Sequence, residues 1–478
     1  MNLQPARLWA HFEALARIPR CSGNETQAGD YVVKIAERMG LPALRDACGN
    51  VVVRKPASPG ASGPPVVLQA HLDMVCEKRQ GHGHDFTTDP IIPVLDGEWV
   101  QAAGTSLGAD NGIGLAAALA ILEDGSLRHP ALELVATVEE EVGLKGASLI
   151  TAEGVAGRRL INLDAEDEDV LLVGCAGGIE VSTTRALPCL PVVMADGESI
   201  RIVVEGLRGG HSGIDIHKGR ANALSVLAIS IEGLLAARSD LFIGGLAGGT
   251  KSNAIPRDAH AEVLVANKTG LQEWAADQTA WWRHALGDGD PGVTVRIEAA
   301  DRSPIVLTPD STSRLLLFLS AFPHGVWAVD PQLGGVATSA NLAVVTIERG
   351  TARVLTSLRS SSPETLDLAV ARVEALMRLM GWTPSRENAY PAWPRAASSP
   401  LLARATEAFL SVYGAPPSIE TVHAGLECGI LSQRLPGLDA ISIGPTIRNP
   451  HSPDERVNIG SVGRFWGFLV ALLARLAE

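Results

Sequence analysis

Five residues of the types that bind divalent metals lie in five well-separated stretches of the chain. They comprise two imidazoles and three carboxylates, a set too large for one tetrahedral zinc with an open position. The same set suits two divalent ions that share a bridging carboxylate. The sequence therefore predicts a two-metal hydrolase, with the ligands His71, Asp110, Glu141, Asp164 and His451.

Further acids beside these ligands could supply acid–base chemistry. In the segment AHLD, side chains two residues apart in an extended backbone point the same way, so Asp73 can orient the ring of His71. Glu139, Glu140 and Glu141 would repel one another unless metal or protons neutralised them, and in an extended segment they cannot all face one ion. If Glu141 binds metal, Glu140 is the candidate general base that takes a proton from water and passes it to the leaving amine.

The elements around the predicted ligands explain how they could meet. His71, Glu141 and Asp164 each come directly after a candidate buried strand, Asp110 precedes a candidate helix, and His451 lies in the loop after another strand. In open α/β sheets, functional groups collect beyond the carboxyl ends of the strands. Any one of these positions alone is also typical of a helix cap or a turn, so the prediction depends on the whole set.

Composition narrows the class of protein. The chain has 478 residues, 46% of them apolar and 19% charged, with a formal net charge of −13, which argues against a nucleic-acid partner and favours small-molecule ligands. We find no signal peptide and no uncharged apolar stretch long enough to span a membrane. Dispersed cysteines without a CxxC pair indicate buried thiols in a reducing cytoplasm; they are Cys21, Cys48, Cys76, Cys175, Cys189 and Cys428.

The domain organisation follows from two proline-bearing segments. Before them, strand and helix patterns alternate, which is typical of a layered α/β domain. The segments LPCLP and YPAWPRAASSP interrupt that pattern about two hundred residues apart and are interpreted as hinges of an inserted domain. We therefore predict a catalytic domain in two parts, residues 1–184 and 397–478, and an inserted domain over residues 185–396, with a sheet that carries helices on one face.

Seven motifs resemble the M20 metallopeptidases, and within them the bacterial aminoacyl-histidine dipeptidases. They are AHLDMV, GADNGIG, EEEVGLKGA, LINLD, GGHSGIDIHKGRANA, SNAIPRDA and GPTIRNPHSPDERV, and the resemblance extends over nearly the whole chain. It implies an α/β fold with a zinc-peptidase-like catalytic domain, whose central mixed sheet is flanked by helices, and an inserted α+β lid. It also implies a homodimer formed through the lid.

The resemblance assigns roles to the predicted site residues. Two divalent ions are implied, with zinc expected and manganese or cobalt as alternatives. Asp110 would bridge both ions, across a cis peptide to Asn111, and the other four predicted ligands would complete the two coordination sets. Asp73 would orient the first histidine and Glu140 would be the general base. The family often has Asp-Glu-Glu where this chain has three glutamates, which leaves open which glutamate does which job.

Residues of the inserted domain are implied to bind the substrate. The glycine-rich segment GGHSG can hold His211 at a loop tip, where an imidazole could donate a hydrogen bond to the oxyanion of a tetrahedral intermediate. By resemblance, Asn253 and Arg359 join it in binding the substrate carboxylate and polarising the scissile carbonyl. His423 and Glu427 are implied to lie near the site, within reach of the substrate amine. Arginine suits this task because its planar fork binds a carboxylate bidentately.

Three functions compete at this stage. The first is a dinuclear-zinc dipeptidase that hydrolyses Xaa-His and other short unblocked dipeptides with metal-activated water and a glutamate base. The second is a deacylase or amidohydrolase of the same fold, which acts on N-acyl amino acids. The third is a metal-dependent peptide-binding protein without catalysis, which would have no use for a general base.

Overall fold

A computed structural model describes residues 2–192, 197–238 and 240–478, and the chain divides into two compact units. The first unit comprises Met1–Cys175, Trp393–Thr421 and Leu426–Glu478, and the second comprises Ala176–Ala392 and Val422–Gly425. Both boundaries lie N-terminal of the predicted residues 184 and 396.

Strand pairing explains the earlier boundaries. The strand Gly177–Ala186 spans the predicted boundary at residue 184 and pairs along its whole length with Thr351–Ser360, within the second unit. Where the chain returns, the backbone N–H and C=O groups of Trp393 exchange two hydrogen bonds of 3.0 Å with those of Cys175, both in the first unit. The first proline-bearing segment therefore lies inside the second unit rather than at its edge.

The first unit begins with helices and strands that build a central sheet. Its helices are α1 (Ala6–Ala16), α2 (Thr26–Arg38), α3 (Ala109–Glu123) and α4 (Lys145–Leu149). Its strands before the insertion are β1 (Ala43–Arg45), β2 (Val51–Lys55), β3 (Val66–His71), β4 (Pro93–Asp96), β5 (Trp99–Ala102), β6 (Leu132–Thr137), β7 (Arg159–Asn162) and β8 (Val170–Cys175).

The second unit contains an antiparallel sheet with helices. Its strands are β9 (Gly177–Ala186), β10 (Cys189–Pro191), β11 (Glu198–Glu205), β12 (Gly210–His211), β13 (Leu241–Gly248), β14 (Ala254–Ile255), β15 (Ala259–Val265), β16 (Thr294–Ala299), β17 (Ile305–Leu307), β18 (Gly325–Val329), β19 (Val336–Glu348), β20 (Thr351–Ser360) and β21 (Ser385–Tyr390). Its α-helices are α5 (Ala223–Ala237), α6 (Leu271–Leu286), α7 (Pro309–Ala321) and α8 (Pro363–Leu379).

The remaining elements return to the first unit. They are α9 (Pro400–Tyr413), β22 (Ser418–Val422), α10 (Glu427–Arg434), β23 (Asp439–Ser442), β24 (Ile447–Arg448), β25 (Arg456–Asn458) and α11 (Ile459–Leu476).

The central sheet of the first unit is mixed. Within the described residues its strand order is β1-β2-β6-β3-β7-β23-β8-β22, and β6, β3, β7 and β23 run parallel to one another. Every residue of β3 and β6 is buried, as expected for parallel strands covered on both faces. Four parallel strand ends thus meet at one edge, which is where three of the predicted ligands follow their strands.

Helix α3 is buried on almost all sides. Its sequence ADNGIGLAAALAILE is apolar around the full circumference beyond the first turn, which is typical of a core helix. Its small alanines allow close packing, and α1 and β3 are among its neighbours. The helix therefore places Asp110, in its first turn, at a fixed position in the core of the unit.

The C-terminal helix α11 covers the same unit. Phe465, Phe468 and Leu472 are buried, and Phe468 packs edge-on against Phe409 of α9 with ring centroids 5.3 Å apart. By length and composition alone, α11 and the segment Ile216–Ala237 could each cross a membrane, a test that core helices of globular proteins also pass.

In the second unit, the described part of the main sheet has the order β16-β11-β15-β13-β19-β20-β9-β21, with β18 paired to β19. Alternate residues of β11 are buried, the pattern of an antiparallel strand with one covered face. Helix α5 starts at Ala223, because Gly219 adopts a left-handed backbone and the Asn222 side chain accepts the N–H of Leu224 as an N-cap.

The expectation of free thiols is wrong for Cys21 and Cys76, which form a disulfide. A parallel bridge between Cys21 and Met74 brings the two segments together. Among the described residues Cys48, Cys175, Cys189 and Cys428 remain thiols, and Cys175 and Cys428 are buried as expected.

Removing this disulfide is expected to destabilise the first unit. The half-cystines are 55 residues apart in sequence, and a cross-link over such a loop restricts the unfolded chain by an amount worth roughly 2–4 kcal/mol. We expect the double substitution Cys21→Ser with Cys76→Ser to lower the free energy of unfolding by that amount in urea denaturation. A reductant should lower the stability of the wild type to the level of the variant and leave the variant unchanged. Equal stability of the two proteins without reductant would contradict the prediction.

Candidate metal and catalytic site

The predicted ligands of the first unit converge on Asp110. His71, the last residue of β3, has Nε2 at 3.1 Å from Asp110 Oδ1 and 3.4 Å from Asp164 Oδ1. On the other side, His451 Nε2 lies 3.1 Å from Asp110 Oδ2 and 3.0 Å from Glu141 Oε2. The two oxygens of Asp110 thus face two separate groups of ligands, as a bridging carboxylate requires.

Local backbone structure holds these side chains in place. The peptide bond between Asp110 and Asn111 is cis, as the resemblance implies, and these two residues have non-helical dihedral angles within α3. The Asn111 side chain donates a 2.6 Å hydrogen bond to the carbonyl of Leu163, next to Asp164. Asp110 and Asp164 are therefore tied to each other through neighbouring backbone.

The chemistry of this donor set fits divalent cations. Among the described residues, Glu141 Oε1 is buried and accepts no hydrogen bond, and the buried Asp164 Oδ1 has only its 3.4 Å contact with His71 Nε2 in place of one. Buried carboxylate oxygens normally have partners, because leaving them unpaired is costly. Three acids and two imidazoles around two foci match the oxygen and nitrogen ligands of zinc and similar ions, and an ion at each focus would compensate the unpaired oxygens.

The electrostatics of the site show how strongly the acids attract positive charge. Burial would lower the pKa of His71, but Asp164 and Asp110 raise it well above its ordinary value. Burial also opposes charge on His451, and hydrogen bonds to Asp110 and Glu141 raise its pKa to about 11. Burial raises the pKa of Asp164 to about 7. Without metal, the raised pKa values favour protons on these side chains. Those protons supply the positive charge that the predicted metal ions would otherwise supply.

Asp73 contacts more than the histidine that the sequence predicted. Its Oδ1 lies 3.2 Å from His71 Nδ1 and accepts the backbone N–H of Glu140 at 3.1 Å. Its Oδ2 accepts the N–H of Glu141 at 3.2 Å and the hydroxyl of Ser22 at 2.8 Å. One buried carboxylate therefore orients both the imidazole and the turn that carries the two glutamates.

The three consecutive glutamates point to different places. Glu139 has a positive φ of 49° and its carboxylate pairs with Lys145 at 2.5 Å. Glu141 approaches His451, as described above. Burial, with the charges of Asp164 and Glu141, raises the pKa of Glu140 well above its ordinary value. The acids around Glu140 thus disfavour its charged form, whereas the partly exposed Glu139 is engaged with Lys145.

Two further acids lie near the site, and only one of them, Glu427, was indicated by the resemblance. Burial and the charge of Asp110 raise the pKa of Glu166 to about 8. Glu166 follows Asp164 by two residues, and side chains two residues apart in an extended backbone point the same way. This spacing could have indicated that Glu166 lies near the site. Glu427 is fully buried, and no periodicity or spacing in the sequence relates it to the predicted ligands.

Glu427 ends a chain of buried polar groups that crosses four strands. Its Oε2 accepts hydrogen bonds from the Thr137 hydroxyl, at 2.7 Å, and from the Gln69 amide. Gln69 Oε1 accepts from Asn162 Nδ2 at 2.5 Å, and Asn162 Oδ1 accepts from the Ser442 hydroxyl. The chain takes one residue from each of the parallel strands β6, β3, β7 and β23. It fixes the strand ends from which the predicted ligands project.

In the second unit, the predicted substrate-binding residues form hydrogen-bonded groups of their own. His211 Nδ1 accepts the backbone N–H groups of Gly213 at 3.1 Å and Ile214 at 3.0 Å, which places the ring proton of the neutral imidazole on Nε2. The backbone carbonyl of Asn253 accepts the N–H of Ser212, the residue after His211, at 2.8 Å. With its Nδ1 used as an acceptor, a neutral His211 ring has Nε2–H as its hydrogen-bond donor, and this is the group that could bind an oxyanion.

Arg359 and His423 are buried in the same unit. Arg359 Nη1 donates a 2.6 Å hydrogen bond to the Tyr390 hydroxyl. His423 Nε2 lies 2.7 Å from the Ser339 hydroxyl. Burial and the neighbouring charges of Arg359 and His211 lower the pKa of His423 to about 3, so this ring is neutral.

Comparison with known proteins yields one family and several relatives. A model of the family described as peptidase family M20/M25/M40 matches residues 67–475. The cytosol non-specific dipeptidase of Escherichia coli (strain K12) is 39% identical over 479 residues, which cover 99% of this chain and 98% of that protein.

Solved structures show the same similarity. The aminoacylhistidine dipeptidase from Vibrio alginolyticus superposes with a TM-score of 0.84 at 37% identity, covering 99% of this chain and 97% of that one. The aminopeptidase PepT from Bacillus cereus ATCC 10987, at 16% identity and a TM-score of 0.57, covers 100% of both chains and shares the fold. The predicted fold class is confirmed: a mixed α/β unit and a separate antiparallel sheet with helices.

Proposed function

This chain belongs to peptidase family M20/M25/M40, and from that premise we propose that it is a metal-dependent dipeptidase that cleaves Xaa-His and other short unblocked dipeptides. The printed names of its full-length relatives, a non-specific dipeptidase and an aminoacylhistidine dipeptidase, support this substrate class. We also propose a cytosolic location from the name of the first relative, and a homodimer through the inserted domain from the resemblance alone.

The observation that carries the proposal is the convergence of four ligand candidates on Asp110, with buried oxygens of Glu141 and Asp164 left without hydrogen bonds among the described residues. We propose that the five predicted residues hold two divalent ions, with zinc expected and manganese or cobalt as alternatives. When bound, such ions polarise the scissile carbonyl and lower the pKa of water.

Side chains of the protein would carry out proton transfer, positioning and substrate binding. Glu140 takes a proton from the attacking water and later delivers it to the leaving amine, as a general base and then a general acid. Asp73 keeps the backbone N–H groups of Glu140 and Glu141 fixed, so the base and its neighbour retain their separation. We assign His211, Asn253, Arg359 and His423 to substrate binding, with the Nε2–H of His211 as donor to the developing oxyanion.

Substrate hydrolysis with and without metal tests the proposed function. We expect cleavage of β-alanyl-histidine and of unblocked α-dipeptides when zinc or manganese is present. A chelator should remove at least about 99% of the rate, because water at neutral pH is a poor nucleophile without a bound ion, and added metal should restore it. N-acetyl amino acids serve as the comparison substrates.

Each alternative function has its own result in the same assay. Cleavage confined to the N-acetyl compounds would identify a deacylase of this fold. Metal binding with no hydrolysis of either class would identify a peptide-binding protein. A general base at Glu140 would argue against the second alternative, because a binding protein gains nothing from a carboxylate that takes up a proton.

A further inference from the structure

Glu455 accepts hydrogen bonds from four consecutive backbone N–H groups at the start of α3. Its Oε2 accepts from Leu107 at 2.7 Å and Gly108 at 2.9 Å, and its Oε1 accepts from Ala109 at 2.8 Å and Asp110 at 3.2 Å. The side chain is only 2% exposed. Both oxygens of one buried carboxylate are thus used to hold the segment that ends in Asp110.

The sequence of α3 explains why a distant residue is needed there. The first N–H groups of a helix have no partner within the helix, and a Ser, Thr, Asp or Asn at the N-cap usually supplies one. Here the N-cap is Gly108, which has no side-chain acceptor and adopts a left-handed backbone with a φ of 70°. Glu455, more than three hundred residues further along the chain, takes the place of the local cap. Its negative charge also suits the positive end of the helix dipole.

The Arg20 side chain binds a backbone carbonyl of the same segment and also binds the backbone that follows His71. Its Nη2 donates a 2.5 Å hydrogen bond to the Gly108 carbonyl. Its Nη1 donates to the carbonyls of Leu72 at 3.0 Å and Asp73 at 2.7 Å. Arg20 is 1% exposed, and Glu455 and Asp73 are the carboxylates that stabilise its charge most. One buried cation therefore spans the backbone that follows His71 and the backbone that precedes Asp110.

Gly108 lies between the two charged side chains. Its N–H binds Glu455 and its C=O binds Arg20. A Cβ atom at this position would lie 2.6 Å from Arg20 Nη2 and 2.7 Å from Met74 Sδ. The left-handed backbone and this close approach both require glycine. We call Arg20, Gly108 and Glu455 the Gly108 brace.

We propose that Arg20 and Glu455 are positioning residues which, through the Gly108 brace, fix Asp110 relative to His71 and thereby set the affinity of the site for divalent metal. This inference rests on the proposed two-metal function. Neither residue is among the predicted metal ligands or the predicted substrate-binding residues. Residues that orient metal ligands from behind commonly contribute about tenfold to a hundredfold to metal affinity.

Metal titration of Glu455→Gln tests the brace without an activity assay. A glutamine side chain has one acceptor oxygen in place of two, so it can accept hydrogen bonds from only some of the four N–H groups. Its NH₂ group, which is a donor, would lie against the remaining backbone donors. We expect zinc and manganese to bind the apo form of this variant about ten to a hundred times more weakly than the wild type in calorimetric titration. At saturating metal, kcat should return to within a few-fold of wild type and KM should not change.

Glu133→Gln is the matched control. Glu133 is also a buried carboxylate of the first unit, 4% exposed, and accepts the N–H groups of Ala156 at 3.2 Å and Gly157 at 2.6 Å. Its partners do not adjoin any predicted ligand in sequence. This control should lose thermal stability, as Glu455→Gln does, while its metal affinity stays at the wild-type value.

Arg20→Lys provides a second variant that keeps the charge. A single ammonium cannot reproduce the fork that binds carbonyls on two segments, so metal affinity should again fall about tenfold or more. Wild-type metal affinity in folded Glu455→Gln or Arg20→Lys would overturn the proposal, as would an equal loss in Glu133→Gln. Failure of the proposed function is distinguishable, because the wild type would then bind metal and leave dipeptides intact.

Discussion

Replacing Glu140 by glutamine is expected to lower kcat by roughly two to four orders of magnitude while the number of bound metal ions stays at the wild-type value. Glutamine has the size of glutamate but cannot take up a proton. The backbone N–H of Glu140 would still bind Asp73, so the turn that carries Glu141 keeps its position. The variant therefore separates proton transfer from metal binding. Steady-state kinetics and metal analysis of the purified variant provide the two measurements.

Glu139→Gln is the control for this experiment. It removes a carboxylate of the same type from the neighbouring position, where the side chain pairs with Lys145. We expect nearly wild-type kcat and metal content. If Glu140→Gln lost metal and activity in parallel, Glu140 would be a ligand. If Glu139→Gln lost turnover instead, the roles within the glutamate triplet would have to be reassigned.

Replacing Asp110 by alanine is expected to abolish measurable dipeptide hydrolysis and to remove at least one metal ion per chain. Its two oxygens face His71 and His451 at 3.1 Å each, so one substitution deprives both groups of ligands of their common member. Two-metal sites depend on such a shared carboxylate to hold two cations close together. We expect kcat/KM to fall by more than about a thousandfold, and atomic absorption analysis to show the metal loss.

Asp124→Ala is a suitable comparison, because Asp124 lies at the other end of α3 and interacts with Ser126 and Arg7. Wild-type activity and metal content are expected there. Retention of two metal ions in Asp110→Ala would refute the bridging role, even if activity were lost. The pair of variants thus distinguishes a specific effect on the site from a general effect on the helix.

Sequence reasoning located the candidate site because its principal signals are local. Three predicted ligands follow strands, and parallel strands deliver their carboxyl ends to the same edge of a sheet. The motifs around His71, Asp110 and His451 also carry the family resemblance. The structure brings the five predicted ligands together, and their individual roles remain predictions.

The parts that sequence could not supply depend on contacts between distant segments. Glu455 looks like an ordinary acid four residues after His451, and only the fold reveals that it caps a helix whose first residue lies 346 positions earlier in the chain. Arg20 is a charged residue of a type that usually lies at the surface, yet it is buried. The disulfide likewise depends on the approach of Cys21 to Met74, which no cysteine spacing indicates.

The separation of the site residues along the chain also has a consequence during synthesis. Asp110 and His451 are 341 residues apart, and the whole second unit is translated between them. When the ribosome has produced the four earlier predicted ligands, it has not yet produced His451 or Glu455. The group of predicted ligands around His451 is then incomplete, and the N-terminus of α3 lacks its cap. If the proposed function holds, the nascent chain would gain peptide hydrolysis only after almost all of it has emerged, and a translation product truncated before His451 would be inert.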